Sequence, residues 1–524
     1  MQVMSDVFLV PRTSHLVPRT SHLVPRTSHL VPRTTIFLLL LCVSLTTAAG
    51  DIVRRGCRQA SVSPDGPRRA ESTGAVRQPG GDFYYGDRRQ LVVLASFADR
   101  TFKGNETETM AQWDKIFNLQ GFHEEPFVGS VHDYFYAQSY GKFNLQFDLQ
   151  YVQLSANHAK YGSTMANDEN SQYLVQDVVA VLKTRDIDWS LYDWNGDGFV
   201  NQLLIVFAGK GSGLGGFGGG LDAIWPHQFW MTGHTDQETH EKCSTLSVTG
   251  TDGKTLLVDS YCAVQELKSD DTYGAFGTLC HEFSHCFGFP DFYYGSTKYV
   301  GAWDIMDSSY YNNNGFCPSD YSAHERWLMG WLTPTELKGT TTVDNMPNLS
   351  EQGVAYLIRS EGNSNEYYMV ENRQQKGWDA GLPGSGILIF HIDYDPALWV
   401  SITDAPNKSS RQHYVIIPAN NKWEYTKSNA ANWAYPYAGN NQLTNTSTPA
   451  ATLFNANADG TKFMNKPLTD LAVDASGLAS FSFTGGPTAV SLPSVLGPYE
   501  VLYDLGPISI IRLANGEIMK VMKH

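Results

Sequence analysis

Residues 281–291 read His281-Glu282-Phe283-Ser284-His285-Cys286-Phe287-Gly288-Phe289-Pro290-Asp291. Two histidines four apart project from one face of a helix, a single turn from each other. That spacing lets both imidazoles bind one zinc ion at about 2.0–2.1 Å each. Glu282 follows the first histidine and reaches a metal-bound water without being a ligand. Gly288 ends the helix, because glycine accepts the positive φ of a sharp turn. Asp291, three residues on, lies where the returning chain offers a third ligand. Three protein ligands and one open position describe a catalytic zinc site, whereas a structural site is closed by four.

A second element follows soon after: Trp303-Asp304-Ile305-Met306-Asp307-Ser308-Ser309-Tyr310. Met306 is read as a Met-turn methionine, the alternative being an ordinary core residue. Three further stretches join these two: Gly129-Ser130-Val131-His132-Asp133-Tyr134-Phe135, Ser139-Tyr140-Gly141-Lys142, and Glu366 to Arg373. With the Asp193–Gly198 loop, they make the chain resemble the immune-inhibitor-A-like secreted metalloproteases of bacteria, a metzincin-like family. The resemblance spans residues 80–480. It implies a secreted zinc-dependent endopeptidase with His281, His285 and Asp291 as zinc ligands and Glu282 as general base. Metzincins more often use His as the third ligand; Asp291 stands there in this chain, as in this family. Some metzincins place a tyrosine two residues after the methionine. Ser308 occupies that position, so Tyr310, four residues after, is the candidate catalytic donor to the oxyanion.

The loop Asp193-Trp194-Asn195-Gly196-Asp197-Gly198-Phe199-Val200-Asn201 supplies oxygen side chains at positions 1, 3 and 5 and glycine at 6, the start of a calcium loop. Leu204 stands at the twelfth position, where an EF-hand needs Glu, so Asn201 or a more distant group must complete the shell. The alternative is a turn closed by its own Asx side chains. Calcium is the preferred reading, which the resemblance favours. Gly209-Lys210-Gly211-Ser212-Gly213 is not a phosphate-binding loop, since Ile205 stands where the first glycine would be. It reads as a mobile loop rimming the cleft.

The 524 residues suffice for two or three domains. A formal net charge of −15 and pI near 5.4 argue against nucleic-acid binding. Residues 9–34 repeat Leu-Val-Pro-Arg-Thr-Ser-His with a period of seven, and the prolines forbid a coiled coil. Ile36–Leu45 is an apolar core too short to span a bilayer, and it ends in small residues; a signal peptide is expected near residues 31–49. The repeat is then the product of a start codon assigned too early, the alternative being a spacer. The expected state is a secreted monomer acting on protein or peptide substrates, with no nucleic acid and no stable membrane span.

The expected fold class is α+β: a zincin/metzincin-type catalytic domain followed by an antiparallel β domain. Residues 1–49 are a leader with the repeat and signal peptide, and 50–80 a pro-segment or linker. The catalytic domain covers 81–332 and a β-rich domain 333–486. A C-terminal β segment, 487–524, resembles a sorting module, with a hairpin turn at Asn515-Gly516. Within the catalytic domain, strands are expected at 90–97 and 202–208. Helices are expected at 107–118, 129–139, 170–184, 274–287 and 321–329. Short β-prone runs follow at 355–359, 367–372, 386–392 and 414–417.

Export permits disulfides, and Cys243 with Cys262 is the expected pair. Cys280 and Cys286 read as small apolar residues on other faces of the helix. Cys57, in an arginine-rich stretch, is a candidate latency thiol that would fill the open zinc position, although a disulfide partner or a free thiol is the plainer reading. Asn105, Asn348, Asn407 and Asn445 begin glycosylation sequons. Two rival functions remain at this point: a non-enzymatic surface protein, and a zinc hydrolase of non-peptide substrates.

Overall fold

The apolar run Leu91–Ala95 is the centre of β1 (Gly86–Ser96), and its side chains are fully buried. A computed structural model describes residues 84–163, 169–212, 222–274, 276–399 and 406–485, together with 499–504, 508–513, 516 and 518–522. The expected leader, signal peptide, pro-segment and Cys57 lie outside the described residues, as do Asn515 and most of the glycine-rich stretch after Gly211.

β1 pairs in parallel with β2 (Phe143–Gln153) on one side and β3 (Leu203–Lys210) on the other. β4 (His227–Trp230) and the hairpin of β5 (Leu246–Thr249) and β6 (Thr255–Val258) precede β7 (Ser260–Leu267). The resulting five-stranded sheet has the order β2-β1-β3-β7-β4, with β4 its antiparallel edge. Strands covered on both faces read as continuous apolar runs, which is why β1 and β3 stand out in the sequence. β2 alternates, burying Phe143, Leu145 and Phe147 between polar neighbours.

Helices cover this sheet. α1 (Glu106–Asn118) and α2 (Val131–Gln138) each begin with a capping box, Asn105 with Glu108 and Ser130 with Asp133. α3 (Ser171–Leu182) buries Leu174, Val175, Val178, Val179 and Leu182 on one stripe. α4 (Phe276–Ser284) carries the metal-site histidine and glutamate, and α5 (Ala323–Leu328) closes this part with a third capping box, Ser322 with Glu325.

After Leu332 come β8 (Thr335–Glu336), β9 (Thr341–Met346), β10 (Ala355–Arg359), β11 (Glu366–Arg373), β12 (Gly386–Asp393) and β13 (Tyr414–Ile416). The second sheet runs β13-β12-β11-β10-β8, antiparallel except where β8 joins β10. Successive side chains of a strand face opposite sides. Tyr367, Met369, Leu388, Phe390 and Ile392 therefore join the same core as α4 and β1. Tyr368, Val370, Ile387 and Ile389 face a second core shared with β9, β14 (Leu468–Val473) and β15 (Ala479–Phe483). One hydrophobic core thus runs through residues on both sides of position 332. β16 (Tyr499–Asp504), β17 (Ile508–Leu513) and β18 (Ile518–Met522) form an antiparallel sheet. No described helix is long and apolar enough to cross a membrane.

One expectation is corrected. Cys243 and Cys262 are both free thiols. Cys262 sits on β7 among Gln202, Cys280, Glu282 and Cys286, while Cys243 lies beside Asp236 and Lys242, so the two belong to different neighbourhoods. Asn407, which begins one of the sequons, is fully buried, and its amide donates to the carbonyls of Phe292 and Tyr414.

Candidate metal centre

α4 is short and wholly buried, and it leads directly into a tighter turn over His285–Phe287. Gly277 lets the helix approach its neighbour: a Cβ there would lie 2.2 Å from the carbonyl oxygen of Tyr310. Gly288 ends the turn at φ 84°, as its position in the sequence requires. The chain then doubles back, and Nδ1 of His285 lies 2.8 Å from the carbonyl oxygen of Phe289. Nδ1 of His281 lies 2.7 Å from the carbonyl oxygen of Ile305. A carbonyl only accepts, so each ring holds its proton on Nδ1 and directs the Nε2 lone pair inward.

Those two Nε2 atoms and Oδ1 of Asp291 converge. Asp291 Oδ1 is 3.3 Å from His281 Nε2 and 3.5 Å from His285 Nε2. All three atoms are buried and lack a hydrogen-bond partner in the protein. Bonds of about 2.0–2.1 Å in a tetrahedral shell set ligand atoms roughly 3.3–3.4 Å apart. The intervals therefore fit a shared ion better than hydrogen bonds, which are shorter. Among the described residues no other trio of His, Cys, Asp or Glu comes together this closely. Burial depresses both histidines to a pKa of about 4 and raises Asp291 to about 7, so the histidines stay neutral, as ligation requires. Glu282 is buried beside them, with Oε2 4.0 Å from His285 Nε2.

The Met306 segment braces this group through its backbone. Ile305 accepts from His281, and the carbonyl of Met306 accepts from Phe292 N–H at 2.8 Å, next to Asp291. The Met306 side chain is fully buried. The ring of Tyr310 packs 4.5 Å from that of His281, and Tyr311 lies 4.2 Å beyond it. Sequence reading passed over Tyr293, two residues past Asp291. Its ring stacks on His281 at 6.4 Å and its hydroxyl bonds to Asp291. It also passed over Asp304, whose Oδ1 accepts from Met306 N–H at 2.8 Å. Tyr293 lies two residues past Asp291 and Asp304 two before Met306, and polar side chains so close to the quoted residues are the available signal.

The Asp193–Asn201 loop is closed by its own side chains. Asp193 accepts from the N–H groups of Gly196, Asp197 and Gly198 at 2.8, 3.1 and 2.9 Å. Asn195 donates to Asp197 Oδ2 at 2.9 Å, and Asn201 Oδ1 accepts from Trp194 N–H. Burial, with the nearby Asp193 charge, raises the Asp197 carboxyl. These bonds are the Asx turns of the alternative reading.

Residues 90–331 match the family model described as immune inhibitor A peptidase M6, catalytic domain. The match covers the whole of the span that carries the converging side chains. All of His281, Glu282, His285, Asp291 and Met306 fall inside the matched M6 span. The chain is 26% identical over 286 residues to immune inhibitor A of Bacillus thuringiensis subsp. alesti, covering 46% of this chain and 40% of that protein. It is 28% identical over 223 residues to the pre-pro-metalloprotease PrtV of Vibrio cholerae serotype O1, covering 37% of this chain and 23% of that protein. The chain thus spans less than half the length of these relatives. The matched model is that of a peptidase catalytic domain.

Proposed function

We propose that this chain is a secreted zinc-dependent endopeptidase that cleaves proteins or peptides. The observation that carries this reading is the convergence of three buried, otherwise unpartnered ligand atoms at 3.3 and 3.5 Å beside Glu282. His281, His285 and Asp291 would hold the ion. Zinc, when bound, supplies an acidified water and a Lewis acid for the scissile carbonyl. Glu282 accepts the proton of the attacking water and returns it to the leaving amine. Tyr310, packed on His281, is read as the donor to the oxyanion. The Gly288 turn, Asp291 and the Met306 segment support a metzincin-type catalytic domain over 81–332, with a β-rich domain over 333–486. Secretion rests on the apolar stretch near residues 31–49.

The test is digestion of casein by the purified protein with and without a zinc chelator. Cleavage abolished by chelation and restored by zinc is expected. A zinc-loaded, folded protein that cleaves no protein substrate would overturn the reading in favour of a non-enzymatic surface protein or a hydrolase of other substrates.

We also read the Asp193–Asn201 loop as a calcium site. Burial, with the Asp193 charge beside it, raises the Asp197 carboxyl, and a cation held between the two side chains would stabilise its charged form.

A further inference from the structure

Tyr414 belongs to β13 of the second sheet, more than a hundred residues after the metal-site histidines, yet it touches what holds them. Its hydroxyl donates to Oδ2 of Asp304 at 2.9 Å. The other oxygen of that carboxylate accepts from Met306 N–H at 2.8 Å. The neighbouring carbonyl, of Ile305, is the acceptor that orients His281. The ring of Tyr414 also stacks on Phe292, with centroids 3.8 Å apart and planes inclined by 18°. Phe292 follows the third ligand and donates its N–H to Met306. Asn407 closes the arrangement: its amide donates to the carbonyls of Phe292 at 2.9 Å and Tyr414 at 2.7 Å, and its Oδ1 accepts from Tyr414 N–H at 3.0 Å. Asp304, Tyr414 and Asn407 are all fully buried.

We infer that Tyr414 and Asn407 are positioning residues for the metal centre. Tyr414 fixes the Met306 segment through Asp304 and thereby aims His281, while Tyr414 and Asn407 together fix Phe292 and thereby Asp291. The inference rests on the zinc reading above. A ligand held by a rigid outer hydrogen bond binds its metal more tightly than one free to rotate, and losing such a partner typically costs about 10–100-fold in affinity. The second sheet is then part of the catalytic apparatus and does more than cover one face of it.

Tyr414→Phe keeps the ring and removes the hydroxyl. Tyr368→Phe is the matched control, because Tyr368 is equally buried but donates to Thr452 O at 2.6 Å in the second core, away from the metal. Both variants of the full chain are compared for Tm, for zinc affinity by chelator competition, and for the visible spectrum of the cobalt-substituted protein. Both should lose a similar amount of Tm. Only Tyr414→Phe should lose zinc affinity, by about 10–100-fold, with an altered cobalt spectrum. Zinc affinity within twofold of the wild type in Tyr414→Phe would overturn the assignment.

Should Tyr414→Phe not fold, the wild type answers by itself. Coupling is reciprocal, so added zinc should slow amide hydrogen exchange in residues 407–416, and unchanged exchange there refutes the inference. A wild type that binds no stoichiometric zinc fails at an earlier step, and identifies the metal reading as the error.

Discussion

Oδ1 of Asp291 stands 3.3 Å from Nε2 of His281, with neither atom hydrogen-bonded to the rest of the protein. Burying such atoms unpaired is costly, and a shared cation removes the cost. The purified protein should hold about one zinc per chain. His285→Ala should lose it, because two ligands remain. Asp291→Asn keeps an oxygen but loses the charge, and should bind zinc more weakly while still folding. Metal analysis after dialysis checks both variants.

Glu282→Gln should behave differently. Its side chain lies beside the ligand group and is not one of the three converging ligands. Zinc should stay at the wild-type stoichiometry, while the rate falls by about 10²–10⁴-fold with loss of the proton acceptor. Residual proteolysis near the wild-type level would sink the proposed role.

Gly277→Ala tests how closely α4 packs. The added methyl would sit 2.2 Å from the Tyr310 carbonyl and 3.0 Å from that of Gly315, and both contacts are backbone. The segment carrying Tyr310 must move, at a cost of about 1–3 kcal/mol. The expected result is a lower denaturation midpoint and a lower kcat. A variant with wild-type stability and kcat would show that this contact is not rigid.

For the calcium reading, Tm should rise with added calcium in the wild type and not in the Asp193→Ala, Asp197→Ala double variant, because a ligand bound only by the folded state stabilises it by mass action. An equal calcium response in both proteins leaves the loop as a set of Asx turns.

His324 gives a pH prediction. It is fully buried, its Nδ1 is 3.0 Å from the hydroxyl of Tyr367, and burial lowers its pKa to about 3. The unfolded chain takes up this proton near pH 6.5, and the folded chain does so only near 3. Stability is therefore unaffected by this group above about pH 6.5 and falls as pH drops from there toward about 3, by up to about 1.4 kcal/mol per unit. In His324→Leu that slope should be shallower by one proton between pH 6 and 4, measured by denaturant titration of metal-free protein. Identical slopes in the two proteins would reject the assignment.

Much of the framework was legible in the chain. β1 and β3 are buried on both faces and read as unbroken apolar runs, and α3 shows its stripe at helical spacing. β2 was not recognised, although Phe143, Leu145 and Phe147 alternate with polar residues, which is the period-2 pattern of a strand. β7 is fully buried, yet it contains Ser260, Gln265 and Glu266, whose polarity hides it. Glu266 is tolerated there because its carboxylate accepts from the N–H groups of Lys103 and Gly209, both at 2.9 Å. Those partners are distant in sequence, so no local pattern could announce them.

The sequence by itself determined which three side chains converge. His281, His285 and Asp291 lie within eleven residues, and helix periodicity plus one glycine turn bring them together, so local geometry suffices. Only the tertiary structure decided what orients them. The carbonyl that holds His281 comes from Ile305, the carboxylate that holds that segment is Asp304, and the hydroxyl on that carboxylate is Tyr414, from another sheet. It also decided that Cys243 and Cys262 stay apart and that Asn407 is buried. Such contacts arise where two packed layers meet. Chain separation does not encode them, because they depend on how the faces of separate sheets fit together in one core.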